Sequence, residues 1–181
     1  EQKGVYTPYK RDPETGVRYW AIPGQEGYEH ILGGLEKDGD TGAISTDPEN
    51  HDKMCRLRAA KVFKIPVPDL EVQGDADDAD LLIVGFGGTF GHLYSAMEEM
   101  RSAGHKVALA HFNYINPLPK NTAEVLGKYK KVVVAEQNLG QFAGYLRMRI
   151  DNFMPYQFNQ VKGQPFVVGE LVKAFTKIIN N

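Results

Sequence analysis

The stretch Leu81-Leu82-Ile83-Val84-Gly85-Phe86-Gly87-Gly88-Thr89-Phe90-Gly91 decides how this chain is read. Its apolar run predicts a strand buried on both faces, which enters a glycine-dense turn from which a helix leaves at once. In α/β domains such a turn lies at the carboxyl end of a parallel strand, where ligands usually bind. The segment nearly matches the dinucleotide fingerprint Gly-x-Gly-x-x-Gly. Counting from Gly85 and Gly87, the third glycine position holds Phe90; counting one residue later, the first position holds Phe86. A dinucleotide site also wants a carboxylate at the end of the next strand, about 20 residues on. That strand ends His111-Phe112-Asn113, with no carboxylate. No Gly-Lys-Ser/Thr follows the turn, which excludes a P-loop. Two readings stay open: a tight strand-to-helix corner, which is preferred, and a small anionic ligand held by the first amides of the helix.

Outward from this turn the chain alternates. A helix is predicted near 90–103, with Phe90, Leu93, Tyr94, Met97 and Met100 at helical spacing, closed by Gly104. A strand at 106–112 leads to a Pro-bearing loop, Asn113–Pro119, and a short helix near Asn121, where Asn121 and Glu124 have capping-box spacing. A strand at 131–136 precedes a helix at about 139–151, with Leu139, Phe142, Leu146 and Ile150 on one face. One more strand is expected within 153–161, and a final helix from about Gly169. Strand–helix alternation at this spacing implies an α/β fold: a mostly parallel sheet with helices on both faces.

Residues 1–74 read differently. Six of the ten prolines lie there, among turn segments such as Arg11–Gly16 and Lys37–Gly42. This is an irregular arm expected to need a packing partner, with one helix near 48–64 in which Asp47 is the N-cap and Pro48 the first helical residue. The acidic stretch Asp75–Asp80 marks the boundary, and 75–181 is the α/β domain.

Composition narrows the function. With 42% apolar and 24% charged residues and a net charge of −2, the chain is an ordinary globular protein without a basic nucleic-acid surface. No apolar run approaches the roughly 20 residues that span a bilayer, and no signal peptide is visible, which favours the cytoplasm. The single cysteine, Cys55, excludes an internal disulfide, a cysteine-ligated iron–sulfur cluster and a thiolate zinc site within the chain. The start at Glu1 rather than Met suggests processing or excision from a longer protein.

Few residues suggest chemistry. Glu136-Gln137-Asn138 ends a strand and Gln141 opens the next helix, so a carboxylate there could act as acid or base or hold a polar ligand; it could equally satisfy backbone amides. Gly87, Gly88, Thr89, Gly91, Glu136, Asn138 and Gln141 are therefore the candidate crevice or interface residues, with no catalytic, cofactor-binding or metal residue assigned. His30, His51, His92, His105 and His111 show no metal-ligand spacing. His51 and Cys55 are one helical turn apart, but no third ligand is evident. Lys53, Arg56, Arg58, Lys61 and Lys64 give the 48–64 helix a basic face, read first as solvated and second as a seat for an acidic neighbour.

The ordered set Gly85–Gly91, Arg101-Ser-Ala-Gly-His-Lys106, Asn116-Pro-Leu-Pro119, Val132–Asn138 and Gly140-Gln141 resembles the carboxyl-terminal domain of the α subunit of 2-oxoacid:ferredoxin oxidoreductases, most closely the 2-oxoglutarate type. The arm fits too, through Arg18–Gly24, Gly34-Leu-Glu36, and Asp47–His51 with Arg58 and Lys61. One departure is Gly33-Gly-Leu-Glu36-Lys37, where related subunits often have Gly-x-Glu-His. The resemblance implies a transketolase carboxyl-terminal-like domain serving assembly and domain packing. It implies a whole enzyme that oxidatively decarboxylates a 2-oxoacid to an acyl-CoA with thiamine diphosphate, magnesium and an iron–sulfur cluster, with CoA as substrate and ferredoxin as electron acceptor. None of these cofactors is expected to bind this chain, which would be inactive without the remaining α-subunit domains and a β subunit; no nucleic acid or membrane partner is expected. A stand-alone nucleotide- or phosphate-binding module, or a subunit of another thiamine enzyme of transketolase type, remain the alternatives.

Overall fold

The computed structural model describes residues 5–181. Contacts divide the chain into two compact units, Glu1–Pro66 and Val67–Asn181. Among the described residues no helix is long and apolar enough to cross a membrane.

Among its described residues the first unit holds one helix, α1 (Pro48–Phe63), and two isolated antiparallel bridges, Arg11↔Arg18 and Lys37↔Ile44. Each bridge closes on the same Asp-x-x-Thr-Gly turn. Asp12 Oδ1 accepts from the Glu14 and Thr15 amides and the Thr15 hydroxyl, and Asp38 Oδ1 accepts from the Asp40 and Thr41 amides and the Thr41 hydroxyl. These bonds hold both carboxyls below their usual range, with the threonine amide the largest cause. Short polar side chains thus replace the missing sheet ladder. Asp47 caps α1, accepting from the Glu49 and Asn50 amides at 2.8 and 3.0 Å, with Pro48 in the first turn.

The second unit is a five-stranded sheet in the order β1-β3-β2-β4-β5, formed by β1 (Val72–Gly74), β2 (Leu81–Phe86), β3 (Val107–Phe112), β4 (Val132–Glu136) and β5 (Tyr156–Asn159). The β2–β3, β2–β4 and β4–β5 pairs are parallel; β1 runs antiparallel on β3. Four helices complete it: α2 (Phe90–Ser102), α3 (Thr122–Gly127), α4 (Gln141–Arg149) and α5 (Val168–Asn180). Alternate strand residues feed two cores. Leu82, Val84, Ala108, Ala110, Val132 and Val134 meet α3 and α4 on one face. Leu81, Ile83, Val107, Leu109, Val133 and Ala135 meet α2 and α5 on the other. Burial on both faces is why the strands read as unbroken apolar runs.

Some expectations shift. Residues 72–74, placed in the arm by composition, form the edge strand of the sheet. Asn121 stands at the N-cap position of α3 but makes no side-chain cap bond; its side chain instead pairs with the Leu70 backbone, donating to the carbonyl at 3.0 Å and accepting from the amide at 2.8 Å. Leu139 precedes α4 and is exposed, and Phe90 and Tyr94 stand half out of the α2 surface.

Two details fix where strands hand over to helices. At Gly85 an added Cβ would meet Leu93 Cδ1 at 2.2 Å and Thr89 Oγ1 at 3.0 Å, so α2 sits on β2 at a distance only glycine allows. At the end of β4, the fully buried Glu136 accepts from the amides of Phe142 (2.8 Å) and Ala143 (2.9 Å), while Asn138 Oδ1 accepts from Gly140 and Gln141. The unpaired amides that begin α4 are thereby satisfied, and the carboxylate lies at the positive end of the helix. Gly85→Ala is expected to cost about 1–3 kcal/mol by overpacking, against no more than about 0.5 kcal/mol for Gly88→Ala, whose Cβ meets nothing within 4 Å. Glu136→Gln places an amide NH2 against a backbone N–H and is expected to cost about 1–3 kcal/mol. Urea denaturation midpoints with unchanged slope check all three.

Candidate functional site

Topology selects one edge of the sheet. From β2 the chain moves to β3 on one side, then crosses back to β4 on the other, so the strand order reverses between β2 and β4. Ligands in open α/β sheets favour the carboxyl ends at such a point. The loops there are Gly87–Thr89, a single 3₁₀ turn, and Gln137–Gly140.

Gly87, Gly88, Thr89 and Asn138 lie in these loops, and Glu136, Gly91 and Gln141 lie at the ends of β4, α2 and α4 beside them, but most of their polar capacity is already used. The Thr89 hydroxyl is buried and donates to the Phe86 carbonyl at 2.9 Å. Glu136 and Asn138 cap α4 as described, and Gln141 Oε1 accepts from the Leu139 amide at 2.8 Å. Gly88 and Gly91 are exposed with open space where a side chain would stand. Gly87 and Gln141 line separate hollows rather than one crevice.

The hollow that includes Gly87 has a volume of about 590 Å³ and is lined by Phe90, His111, Asn113 and Tyr114 together with Asp69 and Glu71. His111 was not singled out from the sequence for this edge. Its Nε2 lies 3.1 Å from the Gly87 carbonyl, so that nitrogen carries the proton; Nδ1 is buried with no hydrogen-bond partner. Burial pushes the imidazolium below its ordinary pKa, so the ring is neutral near pH 7. Phe90 packs edge-on against it at 5.1 Å. Among the described residues no lysine or arginine lines this hollow, and its two carboxylates oppose a phosphate or diphosphate. The hollow that includes Gln141, of about 270 Å³, is mostly apolar: Phe86, Ile115, Phe142 and Tyr145, with the Arg149 guanidinium 5.1 Å over the Tyr145 ring.

A larger hollow, about 1070 Å³, lies at the opposite, amino-terminal ends of the strands. Three of its polar side chains are tied down: Lys131 Nζ donates to the Ile178 and Ile179 carbonyls, the Tyr129 hydroxyl to the Ala76 carbonyl, and Asp78 pairs with Lys106. We read it as a packing seam rather than a site.

In the first unit, Glu36, His51 and Cys55 are the one group of potential metal ligands among the described residues, with donor atoms within 4.8 Å of one another. The third member, Glu36, lies 15 residues before His51 in irregular chain, where no helical spacing could reveal it.

The family model of the pyruvate:ferredoxin oxidoreductase core domain II matches residues 79–169. The chain is 47% identical over 168 residues to the 2-oxoglutarate oxidoreductase subunit KorA of Mycobacterium tuberculosis, covering 92% of this chain and 25% of that protein. It is 33% identical over 144 residues to the 2-oxoglutarate synthase subunit KorA of Methanocaldococcus jannaschii, covering 78% of this chain and 37% of that protein. Among solved structures it is similar to the 2-oxoglutarate:ferredoxin oxidoreductase of Magnetococcus marinus, with 2-oxoglutarate, coenzyme A and succinyl-CoA bound. That match has a TM-score of 0.82 at 30% identity and covers 98% of this chain and 31% of the other. The chain spans between a quarter and two fifths of the length of these relatives. It belongs to the pyruvate:ferredoxin oxidoreductase core domain II family, in the α-subunit lineage of the 2-oxoacid:ferredoxin oxidoreductases.

Proposed function

We propose that this chain serves assembly and domain packing in the α subunit of a 2-oxoglutarate:ferredoxin oxidoreductase. The whole enzyme would oxidatively decarboxylate 2-oxoglutarate to an acyl-CoA, using thiamine diphosphate, magnesium and an iron–sulfur cluster, with CoA as substrate and ferredoxin taking the electrons. Its partners would be the remaining α-subunit domains and a β subunit.

The observation that carries this reading is the surface of the first unit. Trp20 is 85% exposed and Ile22 67%, and Ile31, Leu32 and Leu35 are each at least 60% exposed. Five exposed large apolar side chains within 16 residues of sequence support a surface that another domain or subunit covers. The strand-end residues support the reading from the other side. Two of the candidate polar side chains, Glu136 and Thr89, are spent on backbone bonds, and the Gly87 hollow carries two carboxylates, which do not fit a diphosphate. No chemical step is therefore assigned to this chain.

Trp20, the only tryptophan, is a built-in reporter. On adding the rest of the α subunit with its β subunit to the 181-residue chain, its emission is expected to shift to the blue. Turnover of 2-oxoglutarate is expected only in the mixture. Trp20→Arg with Leu32→Arg should weaken the association at least about tenfold, as for loss of buried anchor residues. Turnover by the chain alone, or unchanged Trp20 emission in the mixture, would overturn the proposal.

A further inference from the structure

The cluster around Cys55 is arranged in a definite order. His51, Cys55 and Arg58 recur at i, i+4 and i+7 on α1 and so share one face of the helix. Glu36 is brought to that face by the Lys37↔Ile44 bridge. The bridge is clamped to α1 by Asn50, whose Nδ2 donates to the Lys37 carbonyl at 2.9 Å and whose Oδ1 accepts from the Gly39 amide at 3.2 Å. Lys37, 2% exposed, turns its Nζ back onto the Gly33 and Leu35 carbonyls and fixes the same segment from behind.

Within the cluster, Glu36 Oε2 lies 3.0 Å from His51 Nδ1, and His51 Nε2 lies 3.6 Å from Cys55 Sγ. Arg58 grips both Glu36 oxygens at 3.0 and 3.2 Å, and its Nη2 also donates to Cys55 Sγ at 3.2 Å. The Arg58 hydrogen bond is the main cause that holds the Glu36 carboxyl down to about 2, so the carboxylate is ionised throughout the neutral range. An ionised carboxylate accepts the proton on Nδ1, which leaves Nε2 as the basic nitrogen facing the sulfur. This is the order nucleophile, base, orienting carboxylate.

A cation fits this arrangement poorly. Sulfur and carboxylate contact opposite ring nitrogens, so no single nitrogen faces both. A metal would also have to displace a guanidinium that donates to two of its three ligands.

We propose that Cys55 is a modification site: an exposed, base-assisted thiol that forms mixed disulfides with small anionic disulfides. His51 Nε2 takes the thiol proton, and the sulfur attacks one sulfur of the incoming disulfide. A new S–S bond to Cys55 forms as the old one breaks. The leaving thiolate carries off the electron pair, and His51 gives its proton to that thiolate or, where the leaving thiol is too acidic to hold it, to solvent, so the incoming disulfide is the only oxidant. Arg58 supplies positive charge beside the sulfur for both the thiolate and the anionic reagent.

Because Cys55 is the only cysteine, the reaction is read without ambiguity. The 181-residue chain is mixed with dithiobis-nitrobenzoate, an anionic aromatic disulfide, at neutral pH, and the released coloured thiolate is followed in time. The folded chain is expected to react at least about fivefold faster than the same chain unfolded, the scale set by thiolate fraction and nucleophilicity together. His51→Ala, with α1 intact by circular dichroism, should lose that advantage, and added imidazole should restore it, which a purely structural role would not allow. A folded chain no faster than the unfolded one, or a His51→Ala variant at full rate, would overturn the proposal.

Discussion

The buried Glu136 carboxylate, bonded to the first free amides of α4, is the interaction on which the second unit depends. A helix cannot begin inside a protein unless its leading amides find acceptors. Here the acceptors come from the strand just before it, Glu136 from β4 itself and Asn138 from the loop. One carboxylate therefore ends a central strand, starts a helix, and fixes α4 against the face where Phe142 meets Phe86 and Phe112. The cost of bringing a charge to zero exposure is offset by two charge-assisted hydrogen bonds and the helix dipole.

Gly85 plays the corresponding part on the neighbouring strand and the opposite face. Its missing side chain lets Leu93 press onto β2, and Thr89 closes the corner by bonding back to Phe86. The two corners together leave an edge with the topology of a ligand site and few polar groups to spare. The near-match to a dinucleotide fingerprint follows from this. Glycine is needed for close packing of helix on strand whether or not a pyrophosphate is present.

Much of this was legible in the sequence. β2, β3 and β4 announced themselves because burial on both faces leaves no alternation to confuse, and α1 because Asp47 and Pro48 act locally. What escaped depended on partners far along the chain. The edge strand β1 has three residues and takes its identity from β3. Asn121 has the spacing of a helix cap, yet its side chain is claimed by Leu70, 51 residues away. Helical spacing found the α2 face but not its width, since it cannot tell the buried Met97 from the half-exposed Tyr94. Among the candidate site residues, position at the strand ends was readable; whether a side chain was free or spent was not, because that depends on amides a turn or more ahead. Of the Glu36–His51–Cys55 cluster, helical spacing put His51 and Cys55 a turn apart, but Glu36 reaches them from irregular chain 15 residues before His51, where no periodicity marks it.

The carboxyl edge of this sheet is closed by its own chain, with Glu136 as the clasp. Native-state hydrogen exchange at the Phe142 and Ala143 amides tests it most directly, since these two bonds open only if the clasp does. Both amides are expected to exchange as slowly as those of the central strand residues Ile83 and Val133, by global unfolding alone. Exchange of Phe142 and Ala143 as fast as the exposed Gly88 amide would contradict it, and would return Glu136 to the groups available for a ligand.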